Sequence, residues 1–165
     1  MNKTHFSLIG CGRISFKHIE AAVKNNDRLS LVAVCDPILE RAEEKKAEYL
    51  KTFPEARVAV YTDYRELLEK EKPDVCAIAT ESGYHPTIAI DCLEGGAHVI
   101  CEKPMALSTR DADAMIAASH QTGKKLAVCF QNRFNAPVQK ARKALEAGRF
   151  GKMLHGMIQV RWNRD

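Results

Sequence analysis

The sequence predicts an α/β fold of the Rossmann type, a doubly wound parallel sheet with helices on both faces. Three observations carry that expectation. Apolar runs of strand length alternate with segments whose apolar residues recur at helical spacing. Most of those runs are continuously apolar, as strands buried on both faces are. A glycine turn, G-C-G-R-I-S at 10–15, stands between the first strand and the first helix.

The first strand is expected over 4–9, where Phe6, Leu8 and Ile9 fall together. Beyond the turn, Phe16, Ile19, Ala22 and Val23 recur at helical spacing, and a second apolar run over 29–35 ends on Asp36. Strand, glycine turn, helix, strand and acid, in that order, are what a dinucleotide-binding unit requires. Gly10 permits the tight turn, Gly12 lets the backbone approach a pyrophosphate, and Ser15 lets the helix lie close on the strand. Arg13 and Ile14 lead into a helix N-terminus whose free N–H groups and positive dipole suit phosphates. Asp36 would chelate the adenosine ribose hydroxyls, and a 2′-phosphate there would meet a like charge. The expected cofactor is therefore NAD rather than NADP. The turn admits two other readings: an adenosyl-methionine site, which uses similar features, and a strand-to-helix turn with no ligand.

Further elements follow in order. A charged helix is expected over 38–51 with Leu39, Ala42, Tyr49 and Leu50 inward, then a strand over 58–61. Asp63 with Glu66 forms a capping-box pattern for a helix that turns Tyr64, Leu67 and Leu68 to the sheet. A strand over 75–80 leads through a polar turn to a helix over 86–93, which Gly95 and Gly96 end. A strand over 98–101 stops at Glu102-Lys103-Pro104. Ser108 with Asp111 opens a helix that ends near Gly123, and a sixth strand is expected over 125–130. Ligands of such sheets gather at the carboxyl ends of the strands. Positions 10–15, Asp36, 80–85, 102–104 and 131–133 all fall there.

The pattern changes after Pro137. A helix is expected over 138–147, and apolar and polar residues then alternate over 153–162, as in a strand with one wet face. This divides the chain into a dinucleotide-binding domain over 1–130 and a connecting helix plus first strand of an antiparallel substrate or oligomerisation domain over 131–165. On that reading the chain is part of a longer enzyme and turns over poorly alone. The other reading is a terminal strand that pairs on a sheet edge or with another subunit.

Composition narrows the class. The chain has 165 residues, 45% of them hydrophobic, so disorder is not expected. Twenty-five basic and 21 acidic residues are spread along it, giving +4 with no basic block, so nucleic-acid binding has no support. The longest apolar stretches are strand-sized, which argues against a membrane span, and the start does not read as a signal peptide. Six cysteines show no C-x-x-C spacing and read as reduced core thiols of a cytoplasmic protein. His5, His18, His98, His120 and His155 have no metal-ligand spacing, so no metal is expected.

With G-C-G-R-I-S at 10–15, V-C-D at 34–36, A-T-E-S-G-Y-H-P at 79–86, G-A-H-V-I-C-E-K-P at 96–104 and Q-N-R-F-N at 131–135, the chain resembles the N-terminal half of the Gfo/Idh/MocA oxidoreductases. That resemblance implies a Rossmann domain followed by an open antiparallel sheet domain, and NAD(P)-dependent oxidation or reduction of a sugar, sugar nucleotide or polyol. It would give Lys103 the role of positioning a substrate hydroxyl, with a share in proton transfer. Glu102 would hold the nicotinamide side, Thr80 and His85 would line the cofactor cleft, and Asn132 and Trp162 would neighbour nicotinamide or substrate. The family's Asp–His catalytic helix is not among these residues, and the turn between Thr80 and His85 lacks the family's usual asparagine. I-G-C-G-R-I-S, Q-N-R-F-N and R-W-N-R look most like enzymes that oxidise C3 of UDP-N-acetylated sugars. Homo-oligomerisation is implied for the full-length protein.

Read from residues alone, Lys103 closes a buried strand at the ligand edge, between an acid and a rigid proline. Desolvation beside a cationic nicotinamide would favour the neutral amine that an alcohol proton requires. A Lys–Glu pair at a strand end, and a helix-entry histidine at 85 bonded to local backbone, are the plainer readings. A non-catalytic dinucleotide-binding module or scaffold is the alternative for the whole chain.

Overall fold

The computed structural model describes residues 3–161. The chain forms two compact units, Met1–Cys129 and Phe130–Asp165. In the first, six parallel strands form one sheet in the order β3-β2-β1-β4-β5-β6. The strands are β1 Thr4–Ile9, β2 Leu29–Cys35, β3 Ala59–Tyr61, β4 Val75–Ile78, β5 His98–Cys101 and β6 Leu126–Val128. Between them run α1 Ser15–Lys24, α2 Leu39–Leu50, α3 Tyr64–Glu71, α4 His85–Glu94 and α5 Thr109–Thr122. Strand order reverses between β1 and β4, the switch point at which such sheets hold ligands.

The strands separate two cores by residue parity. Leu8, Ala77 and Ala79 face one layer with Ile19 and Ala22 of α1 and Ala42 and Tyr49 of α2. Ile9, Cys76, Ile78, Val99 and Cys101 face the other with Leu67, Ile88, Cys92 and Met115. Period-2 alternation with both sides buried is why these strands read as unbroken apolar runs.

Helix ends follow the local chemistry that the sequence shows. The Asp63 carboxylate accepts the Arg65 amide N–H at 2.8 Å, although Glu66 pairs with Lys70 rather than closing a capping box. Ser108 caps α5: its Oγ accepts from the Asp111 amide and donates to the Asp111 carboxylate. Gly123 ends α5 at φ +68°.

Three expectations change. Phe16 is 41% exposed, because the inner stripe of α1 is Ser15, His18, Ile19 and Ala22. Leu39 is 49% exposed, since it stands at the first position of α2, ahead of its buried residues Ala42 and Tyr49. In the second unit, α6 spans Ala136–Glu146, but residues 153–161 form neither helix nor strand. A strand exists only through a partner's hydrogen bonds, and no partner strand lies among the described residues of that unit.

Candidate functional site at the carboxyl edge of the sheet

The glycine turn is built by contacts from three strands. Gly10 takes φ +91°, and its N–H donates to the Cys35 carbonyl at 2.8 Å. A Cβ on Gly10 would lie 2.6 Å from backbone atoms of Ala79 and Thr80, so the end of β1 can pass β4 only without a side chain. Gly12 differs: a Cβ there would meet nothing within 4 Å. Its open backbone faces the space before α1. The Ser15 hydroxyl donates to the Gly12 carbonyl at 2.5 Å and is buried, drawing the helix onto the turn. Ile14 caps α1 without a side-chain bond, and the first turn holds no acid; the Ser15 and Lys17 amides donate to the Gly12 and Ile14 carbonyls, which leaves the amides of Gly12, Arg13 and Ile14 to face an anion.

Asp36 ends β2 beside this turn and is buried. One carboxylate oxygen accepts the Cys11 amide N–H at 2.8 Å and the other accepts the Ile38 amide N–H at 2.9 Å. A carboxylate offers about four acceptor positions, which leaves room for two ribose hydroxyls. The adjoining hollow of about 400 Å³ is lined by Cys11, Gly12, Arg13, Phe16, Arg41, Glu44 and Lys45. Lys45 is bound to Glu48 at 2.9 Å, while Arg13 and Arg41 make no ion pair among the described residues. An open glycine, an uncapped helix start, a spare carboxylate face and two free guanidinium groups fit a dinucleotide. A larger hollow, about 640 Å³, lies between one face of α3 and the last turns of α4. None of the residues that line it comes from the glycine turn, Asp36 or 102–104.

Burial pushes the Cys11 thiol up to about 12, helped by Asp36 and then by Cys35, so it is turn filler rather than a reactive group.

The third cluster lies after β5. Glu102 is buried, and Lys103 beside it is exposed and makes no ion pair among the described residues. Glu102 Oε1 meets His18 Nε2 at 3.1 Å, and Oε2 accepts the Lys103 amide at 3.3 Å. The short distance by itself would mark an ion pair. Burial instead lowers the His18 pKa below its ordinary 6.5, outweighing the pull of Glu102. Imidazole and carboxyl group thus meet at hydrogen-bond distance inside the fold. The Cys129 thiol, pushed up to about 11 by burial and by Glu102, completes the cluster.

His85 lies between the end of β4 and the turn after β5. It is 1% exposed, with Nδ1 at 2.9 Å from the Pro104 carbonyl and Nε2 at 3.1 Å from the Thr80 carbonyl. Each ring nitrogen faces a backbone carbonyl, and the one that carries the proton donates to it, so the side chain sits between the end of β4 and the Lys103–Pro104 turn. Thr80 itself is half-buried at that junction. Asn132 belongs to the second unit, where its Oδ1 accepts from Asn135 at 3.3 Å. Trp162 lies outside the described residues.

Sequence reading missed His18 and Cys129. The spacing of α1 held a signal for the first, because His18 stands three residues after buried Ser15 on the same face.

Fold and site together define a dinucleotide-binding α/β domain of an oxidoreductase. A family described as "Oxidoreductase family, NAD-binding Rossmann fold" matches residues 4–130, and the chain belongs to that Gfo/Idh/MocA family. D-glucoside 3-dehydrogenase of Escherichia coli K12 is 32% identical over 148 residues, which are 89% of this chain and 40% of that protein. Inositol 2-dehydrogenase of Salmonella typhimurium is 26% identical over 152 residues, covering 90% and 44%. The crystal structure of the WlbA dehydrogenase from Bordetella pertussis, in complex with NADH and UDP-GlcNAcA, superposes with a TM-score of 0.83 at 39% identity. It covers 91% of this chain and 44% of that one. The chain thus spans about two fifths of the curated relatives' length.

Proposed function

We propose that this chain is the cofactor-binding part of an NAD-dependent dehydrogenase that oxidises C3 of a UDP-N-acetylated sugar. The observation that carries the reading is topological. The Gly12 turn, Asp36 and Lys103 all follow strands of one parallel sheet at its carboxyl edge, on either side of the switch point. Likeness to the Bordetella WlbA dehydrogenase supports the substrate class.

Bound NAD supplies the acceptor for a hydride from the sugar C–H. Gly12, Arg13 and Ile14 bind the pyrophosphate through backbone N–H groups at the start of α1, and Gly10 shapes the turn. Asp36 takes the adenosine ribose hydroxyls on its free acceptor positions. Lys103 Nζ receives the proton that leaves the substrate hydroxyl, once substrate and cofactor cover the exposed amine and exclude water. Glu102 holds the nicotinamide side. His85 positions Thr80 and the Lys103–Pro104 turn rather than touching the cofactor. Family resemblance assigns Asn132 and Trp162 a role beside nicotinamide or substrate in the whole protein. That domain mediates assembly into a homo-oligomer. Six free thiols accord with a cytoplasmic protein.

Calorimetric titration with NAD, NADP and UDP-N-acetylglucosaminuronate tests the binding, and NADH formation by the whole gene product tests the chemistry. Saturable NAD binding and NADH formation that Lys103→Ala removes support the proposal. NADH formation unchanged in Lys103→Ala would overturn the role of Lys103. Turnover of inositol in preference to the sugar nucleotide would overturn the substrate class.

A further inference from the structure

One imidazole nitrogen from α1, one carboxyl oxygen from the residue after β5 and one thiol sulfur from the residue after β6 converge. The ligand atoms of His18, Glu102 and Cys129 all lie within 4.8 Å of one another. His18 is 8% exposed and Glu102 9%, and Cys129 is half-buried. No lysine or arginine among the described residues pairs with Glu102, and its one close cationic candidate is His18. A buried carboxyl group with no lysine or arginine paired to it among the described residues, and with an imidazole nitrogen and a thiol sulfur within 4.8 Å, is a donor set with room for a cation. Such a group is costly to bury without a paired charge or a metal.

The donor set narrows what could supply that charge. Magnesium and calcium require oxygen cages, whereas nitrogen, sulfur and one carboxylate oxygen suit zinc. Zinc holds these atoms at about 2.0–2.3 Å in a tetrahedron, which separates them from one another by roughly 3.3–3.8 Å. His18 Nε2 and Glu102 Oε1, 3.1 Å apart, already sit close to that spacing. Closing the widest gap takes about 1 Å of movement, which rotation of the Cys129 side chain can deliver. Glu102 Oε2 is meanwhile held by the Lys103 amide, an outer contact of the kind that orients a metal-bound carboxylate.

We propose that His18, Glu102 and Cys129 form a three-ligand site for a thiophilic divalent cation, best suited to zinc, with a fourth coordination position open. Binding releases the Cys129 thiol proton to solvent and requires the His18 ring proton on Nδ1, leaving Nε2 free for the cation. The cation then ties α1 to the paired ends of β5 and β6, to which the His18–Glu102 contact already links it.

Cobalt(II) is the probe, added to the nucleotide-free chain and followed by visible absorbance. The expected result is one equivalent bound, with a thiolate-to-cobalt charge-transfer band that zinc bleaches. Cys129→Ser should lose the band, and His18→Gln should weaken binding by about tenfold or more. Should His18→Gln fail to fold, Glu102→Gln replaces it with the same expectation. Absence of a saturable band in the parent chain would overturn the proposal. So would a band that survives Cys129→Ser, or an affinity unchanged when His18 or Glu102 is replaced.

Discussion

The Asp36 carboxylate accepts the amide N–H of Cys11 at 2.8 Å, so the acid that ends β2 holds the glycine turn that follows β1. Its other oxygen accepts the Ile38 amide that leads into α2. One side chain therefore shapes the turn before any ribose reaches it.

Asp36→Ala should lower stability as well as cofactor affinity. Two buried or half-buried N–H groups lose their acceptor, a loss of about 1–3 kcal/mol each at most when water cannot replace it. Chemical denaturation should show the midpoint fall, while Asp36→Asn, which keeps one acceptor oxygen, should fall less. An unchanged midpoint in Asp36→Ala would restrict this residue to ligand binding.

Gly10 and Gly12 should respond differently to alanine. At Gly10 the new Cβ would overlap Ala79 and Thr80 backbone at a left-handed φ, where strain and overpacking each cost about 1–3 kcal/mol. Thermal melting should show Gly10→Ala strongly destabilised. Gly12→Ala has open space around its Cβ and should melt within a few degrees of the parent while binding NAD more weakly. Equal melting losses in both would contradict the separation of roles.

His18 sets a pH dependence with a defined sign. Its folded pKa lies below the unfolded value of 6.5, because burial outweighs the opposing pull of Glu102. As pH falls through about 6.5 the unfolded chain takes up a proton that the folded chain refuses, so stability drops until the folded pKa is reached. Denaturant midpoints compared between about pH 5 and 7.5 should show a steeper acid loss in the parent than in His18→Gln. A parallel pair of profiles would mean that His18 titrates alike in both states.

Ser7 lies fully buried in β1, and its Oγ has no hydrogen-bond partner among the described residues. Ser7→Ala removes that hydroxyl and should raise stability by up to about 1–2 kcal/mol, read as a higher denaturation midpoint. A lower midpoint would reveal a partner for the hydroxyl in solution.

Much of this arrangement was legible in the residue order. The strands declared themselves because both faces are buried, and the caps at Asp63 and Ser108 because a short polar side chain before a helix serves nearby amides. Phe16 and Leu39 misled for a shared reason: apolar character and approximate helical spacing do not show which stripe the sheet covers. On α1 that stripe is Ser15, His18, Ile19 and Ala22, so two of its residues are polar. Over 153–161 the alternation forms no strand among the described residues, since pairing depends on a partner strand and not on the strand's own pattern.

By itself the sequence determined the parallel sheet, the glycine turn with its closing acid, and the family, because each is written in contiguous residues whose chemistry acts locally. Tertiary structure alone decided that Gly10 is bound by contact with Ala79, and that His85 serves backbone carbonyls. It alone joined His18, Glu102 and Cys129. These relationships join residues far apart in the chain, and only the packing of strand ends against helix starts brings them within bonding distance.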